Sequence, residues 1–219
     1  MMVDVFTDAL FTPADVARQL VIPRSTVYSW LSKDVDGHPL VHRVQPERRG
    51  RASVPFIAMV EAYVLRALRT ELRFSTPRIQ AAVAALRAEF DTEYALASKR
   101  IATDGIDLFV EYIDGEFARV HDRQIPVREF ISDYLRYIDW GEAGYATRLH
   151  LPRFPAAAPV VIDPQFNWGS PVLERTKVPV SAIIDLFKAG EPINVVAGEY
   201  ELDEQEVQSI VRAELPAAA

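Results

Sequence analysis

Arg24, Ser25, Thr26, Tyr28 and Ser29 lie together in one short segment. A guanidinium among hydroxyls is well suited to reading DNA: arginine bridges a phosphate or the O6/N7 edge of guanine, and hydroxyls donate to phosphate oxygens. More cations surround the cluster, with Arg18 before it and Lys33, Arg43, Arg48, Arg49 and Arg51 after it. From residue 18 to residue 51 these seven Lys and Arg meet only Asp34, Asp36 and Glu47, a local charge of +4. The chain as a whole carries −7, and residues 158–219 alone carry −6. A total hides its distribution, and the distribution sets the local field. One end of the chain is charged to meet phosphates and the other to meet something else.

The elements that must position the basic cluster follow from local chemistry. Thr12 suits an N-cap, Pro13 the first helical position, and Asp15 the positive end of a helix. Val16, Ala17 and Leu20 then share one helical face, Val21-Ile22-Pro23 breaks the period, and a second helix resumes at Arg24 with Val27, Trp30 and Leu31 as apolar anchors. Residues 11–31 therefore read as a helix-turn-helix whose second helix turns Arg24, Ser25, Tyr28 and Ser29 outward. After an Asp36-Gly37 turn, residues 40–44 alternate like a strand and residues 52–54 could pair with them. Arg48, Arg49 and Arg51 would then sit at the tip, the position of a wing.

Helical spacing continues through Ile57, Val60, Val64 and Leu68, and a helix restarting at Thr76-Pro77 carries Ile79, Val83, Leu86 and Phe90. Residues 108–113 and 116–120 read as a strand pair about an Asp114-Gly115 turn, followed by an amphipathic helix over 127–137. Residues 152–159, rich in proline and alanine, read as a fairly extended linker. Beyond it come a short strand at 160–162 and helices over 180–189, 195–200 and 203–215, with no repeat at a fixed period.

Catalysis finds little support. The chain has no cysteine, which removes disulfides, thiolate metal sites and a thiol nucleophile, and fits a reducing compartment. His38, His42, His121 and His150 show no metal-ligand spacing, and His38 and His42 read as surface or phosphate-contact residues. Neither HExxH, GxSxG nor a phosphate-binding Gly loop occurs. No apolar run is long enough to span a membrane and no signal peptide opens the chain, so a cytoplasmic location is expected. The acidic group Glu199, Glu201, Asp203, Glu204 and Glu206 reads as a solvated face with a helix start.

Residues 12–31 resemble the helix-turn-helix of MerR-like regulators, with two departures: Val21 stands where that family usually has a small residue, and Ser29 where a basic one is frequent. Residues 161–200, with Asp163-Pro164, Gly169-Ser-Pro171 and Arg175-Thr-Lys177, resemble a small antitoxin-like domain of unknown function found beside PIN-type ribonuclease toxins. Together the two ends resemble a VapB-type antitoxin of the larger, MerR-like kind. The resemblance implies autorepression from operator DNA and capture of a PIN-type ribonuclease toxin, with Arg175 and Lys177 as the residues that would enter the toxin's acidic metal site. It also implies a helix-turn-helix-like fold for the C-terminal region, although its charge of −6 opposes contact with phosphate.

The expected architecture is mostly helical α+β: a winged helix-turn-helix over 1–56, a central dimerisation region over 57–151, a linker over 152–159 and an antitoxin-like domain over 160–219. The expected function is that of a homodimeric, double-stranded-DNA-binding antitoxin and repressor, without enzymatic activity, cofactor or metal. Two other readings remain open at this level: a MerR-like regulator that answers a small ligand and has no toxin partner, and an interaction protein that binds no DNA.

Overall fold

In the computed structural model, which describes residues 2–32, 34–35, 37–46, 48, 50–71, 73–105 and 127–215, the chain divides into two compact units. One is Val3–Thr147; the other is Arg148–Ala219 together with the first two residues. The architecture is mostly helical α+β and begins with a helix-turn-helix.

Helix α1 (Pro13–Gln19) opens on a reciprocal cap, as its sequence requires. Thr12 Oγ1 accepts from the Asp15 amide at 3.1 Å, and Asp15 Oδ2 accepts from the Thr12 amide at 3.0 Å, so two otherwise orphaned N–H groups are satisfied together. The helix ends in a Schellman turn: the Ile22 amide donates to Ala17 O at 2.9 Å and the Val21 amide to Arg18 O at 3.4 Å. This closure forces Val21 to φ 52, a left-handed conformation that a β-branched residue adopts only under strain. Val21 is 66% exposed, so little packing offsets that strain. Val21→Gly is therefore expected to stabilise the protein by about 0.5–1 kcal/mol. Thermal denaturation of the two proteins checks this, and an unchanged or lowered midpoint for the glycine variant counts against it.

Helix α2 (Arg24–Ser32) buries Val27, Trp30 and Leu31, the anchors its spacing suggests. Beyond it, β1 (Asp34–Val35) and β2 (His38–Pro39) form a minimal antiparallel hairpin about Gly37. Residues 40–44, expected as a strand of the wing, are irregular. Leu40, Val41 and His42 are buried in succession, which no strand with one wet face allows, and the Val41 amide bonds back to Trp30 O at 3.2 Å. What survives of the wing is a loop closed by the Val44 amide donating to Ser53 O at 2.8 Å, with residues 53–54 pairing against Phe11.

Helix α3 (Phe56–Arg66) is buried along its whole length up to Leu65, because it is apolar on every side. Glu61 is the exception in its sequence and is nevertheless fully buried. A wider-wound turn, Ala67–Glu71, follows, then α4 (Thr76–Phe90), which buries Ile79, Val83, Leu86 and Phe90 as its period suggests. Asp91 at φ 51 caps α4 in the left-handed region and turns the chain sharply. Helix α5 (Val127–Leu135) is held to α3 by the Tyr63 hydroxyl donating to Tyr134 O at 3.1 Å and by stacking of the two rings at 4.4 Å. Strand β3 (Ile138–Trp140) leads into a tight turn in which the Gly141 amide bonds Tyr145 O. The strand pair expected over 108–120 lies outside the described residues. The boundary expected at residue 56 falls within one unit, since α3 supplies the core shared by the elements before and after it.

In the second unit, β4 (Ala146–His150), within which the division falls, pairs antiparallel with β5 (Val160–Ile162), Leu149 opposite Ile162. Strand β6 (Val172–Leu173) continues the ladder on the other side of β5. Residues 152–159, expected as an extended linker, are instead the closed end of the β4–β5 hairpin. The Leu151 amide bonds Val160 O, the Ala158 amide bonds Pro155 O, and Phe154 and Ala158 are buried. Proline fixed the local backbone there, but burial of those two side chains decided its course. Helices α6 (Val180–Lys188), α7 (Ile193–Glu199) and α8 (Glu204–Glu214) complete the unit.

Helices α7 and α8 repeat the design of α1 and α2 at a constant offset of 180 residues, 13 to 193 and 24 to 204. Val196, Ala197, Leu202, Val207 and Ile210 are buried as are Val16, Ala17, Ile22, Val27 and Trp30. The turn is the same one: the Leu202 amide bonds Ala197 O at 2.9 Å, and Glu201 sits at φ 53 where Val21 sits at φ 52. The C-terminal unit is thus a second helix-turn-helix, a two-copy similarity too short to stand out as a sequence period.

Candidate nucleic-acid interface

The outward face of α2 is built by subtraction. With Val27, Trp30 and Leu31 turned into the core, Arg24, Ser25 and Tyr28 are exposed, and Thr26 and Ser29 are half-buried beside them. Tyr28 is 57% exposed, high for so large an aromatic side chain and consistent with a face meant for a partner. Arg18, in the last turn of α1, is exposed with its Nη2 on Asp15 Oδ1 at 3.0 Å. Arg43, Arg48 and Arg51 are exposed in the loop that replaces the expected hairpin, where the Arg51 amide bonds Arg48 O at 3.1 Å and Gly50 takes φ 84. Lys33 and Arg49 lie outside the described residues. The described cations among those expected at the interface therefore occupy α1, α2 and one loop.

The counterpart face on α8 has the opposite sign. Glu204 stands where Arg24 stands, and Gln205 and Gln208 replace Ser25 and Tyr28, all three exposed. A helix of this charge is repelled by phosphate, so two copies of one fold present two different chemistries.

Arg175 and Lys177 come together in the second unit but are engaged within it. Arg175 Nη2 bonds Glu206 Oε2 at 3.1 Å, while Lys177 Nζ is 4.0 Å from Asp163 Oδ2 and 4.9 Å from the centre of the Phe166 ring. Asp163, 3% exposed, also accepts from Arg148 Nε at 2.9 Å. Beside them lies a turn that sequence reasoning missed. Asn167, Trp168 and Gly169 all have positive φ, and the turn leaves Phe166 42% and Trp168 65% exposed. Backbone strain and bare aromatics in one place are typical of binding sites. The signal available in the sequence was two aromatics in a polar, turn-forming stretch.

A second grouping was also missed. His38 and His42, read as surface residues, converge on Glu93 from α4's trailing turn, His38 Nε2 lying 3.4 Å from Glu93 Oε1. His42 is buried; its amide and its Nδ1–H both donate to the buried Glu61 carboxylate, each at 2.9 Å. The Tyr94 ring packs on His42 with centres 4.6 Å apart, and its phenol is raised above the usual tyrosine range by burial first and by Glu93 and Glu61 next. Nothing in the spacing of the two histidines announces an acid from a distant helix end. His150 in the second unit lies 3.9 Å from Glu174, and His121 is outside the described residues.

Residues 9–83 match a family model described as "Putative DNA-binding HTH domain", and residues 160–212 match one described as "Protein of unknown function (DUF433)". The chain is 28% identical over 218 residues to "Putative antitoxin VapB45" of Mycobacterium tuberculosis, an alignment covering 89% of each protein. It is 25% identical to "Uncharacterized protein Rv2308" of the same organism, covering 92% of this chain and 88% of the other. The crystal structure of Rv2018, also from Mycobacterium tuberculosis, matches 95% of this chain with a TM-score of 0.81 at 27% identity and is itself covered completely. No described helix is long and apolar enough to cross a membrane.

Proposed function

We propose that this chain, which resembles the VapB-type antitoxins in carrying a helix-turn-helix ahead of a DUF433 module, is an antitoxin that represses its own operon and neutralises a PIN-type ribonuclease toxin. The observation that carries the DNA-binding part is the exposed α2 face of Arg24, Ser25 and Tyr28 flanked by the arginine loop. Base edges are read by the first residues of such a helix in the major groove, and loop arginines grip phosphate or the minor groove. The protein binds as a homodimer, so that two α2 helices meet successive major-groove half-sites.

The toxin-capture part rests on the second unit. Its α8 face is acidic and unsuited to phosphate, whereas Trp168 and Phe166 beside Lys177 and Arg175 combine aromatic anchors with cations. That is the composition of a protein-binding hot spot, and the cations suit the acidic metal site of a nuclease.

A gel-shift assay with the chain's own upstream DNA tests repression, and co-purification with the adjacent gene product followed by a ribonuclease assay tests neutralisation. Arg24→Ala is expected to weaken operator binding by about 1–3 kcal/mol and to relax preference at one or two base pairs. Equal losses on operator and random DNA would assign Arg24 to phosphate instead. A full-length protein that neither captures nor silences its neighbour's product removes the antitoxin reading and leaves a stand-alone regulator.

A further inference from the structure

We infer that His38, His42 and Glu93 form a binding site for one divalent transition-metal ion of the zinc class within the first unit. Their ligand atoms all lie within 4.8 Å of one another. Glu93 Oε1 is 3.4 Å from His38 Nε2, and Glu93 Oε2 is 3.9 Å from His42 Nε2. Neighbouring donors around a tetrahedral zinc stand about 3.3 Å apart, given bond lengths near 2.0–2.2 Å. The set thus needs only a modest contraction. The His38 and Glu93 side chains, 41% and 51% exposed, have room to make it.

The strongest sign is at His42. Its Nδ1 lies 2.9 Å from a Glu61 carboxylate oxygen, an acceptor that makes Nδ1 the donor, and its Nε2 is 3.9 Å from Glu93 Oε2. That Nε2 is buried and has no hydrogen-bond partner, on a residue 9% exposed. A buried polar atom left unsatisfied is costly and uncommon. A carboxylate holding the far nitrogen of a histidine whose near nitrogen is free is the arrangement that orients metal-bound imidazoles.

The scaffold around the ligands is tied as well. Arg87 donates from Nη2 to Pro39 O at 2.8 Å and from Nε to Glu93 O at 2.9 Å, so one side chain of α4 pins both ligand-bearing segments. The donor set of two imidazoles and one carboxylate favours zinc and its neighbours over magnesium or calcium, which prefer oxygen throughout. Three protein ligands leave a fourth position for water, and the space beside His38 and Glu93 is an open cavity of about 370 Å³ also lined by Arg87, Asp91 and Thr92.

The experiment strips the full-length protein with a chelator and titrates it with Zn²⁺, following bound metal after desalting and the melting midpoint. Co²⁺ serves as a spectroscopic probe of tetrahedral geometry. The wild type is expected to retain about one ion per chain, to melt higher when loaded, and to give tetrahedral Co²⁺ absorption. His38→Gln and Glu93→Gln, both at half-exposed positions where the fold tolerates change, are expected to lower Zn²⁺ affinity at least about tenfold and to abolish the Co²⁺ signature. Wild-type protein that retains no metal overturns the site, as does retention that is equal in the wild type and both variants.

Discussion

Replacing Arg48, Arg49 and Arg51 together by alanine is expected to lower DNA affinity about a hundredfold near physiological salt and to flatten its salt dependence. Each phosphate contact displaces counterions and adds about 0.9 to the slope of log affinity against log salt, so three contacts account for about 2.7. At roughly 0.15 M salt each contact is then worth about 0.7 of a tenfold step, and three together about two steps. Phosphates carry no sequence, so the loss falls equally on operator and random DNA. The variants at exposed Arg48 and Arg51 leave the buried anchors of α1 and α2 untouched, and folding should be unaffected. Binding measured across a salt series decides the matter: an unchanged slope means that the loop does not reach the backbone.

Glu61→Ala is expected to destabilise the protein by about 3 kcal/mol, a loss of more than a hundredfold in the folding equilibrium. Glu61 is fully buried and accepts from two His42 donors, the amide and Nδ1. Alanine strands both in the interior, at about 1–3 kcal/mol each, and leaves a cavity in the helix on which the unit is built. Glu61→Gln keeps one acceptor oxygen and should recover part of the loss. Urea denaturation of the full chain measures both. A cost below about 1 kcal/mol for the alanine variant means that water or a shifted side chain replaces the carboxylate.

Elements with a local cause were legible in the sequence; those set by distant contacts were not. Thr12, Pro13 and Asp15 carry the start of α1 in their own side chains, and Val27, Trp30 and Leu31 carry the inward face of α2. The strain at Val21 was visible as a β-branched residue in a turn that asks for a small one. Residues 40–44 misled because alternation of type does not imply alternation of burial. Leu40, Val41 and His42 are all buried, with Val41 tied back to Trp30 and His42 held by Glu61 of α3. Residues 152–159 misled because proline content describes an isolated peptide, whereas Phe154 and Ala158 are held by packing. The His38, His42, Glu61 and Glu93 grouping depends on three separated segments meeting, and short-range spacing holds no trace of it. On the α2 face, where exposure follows directly from helical period, Arg24, Ser25 and Tyr28 lie where periodicity puts them.

The chain has three tryptophans, and they sit in unlike surroundings: Trp30 is 4% exposed in the first helix-turn-helix, Trp140 is half-buried in β3, and Trp168 is 65% exposed on the strained turn of the second unit. Fluorescence from Trp168 is therefore open to an aqueous quencher such as iodide while Trp30 is shielded by its own core. A protein that covers the Phe166 to Gly169 turn removes that quenching and shifts the emission, with no label attached. The molecule thus carries, in one aromatic side chain, an optical report on whether the turn of its second unit is covered.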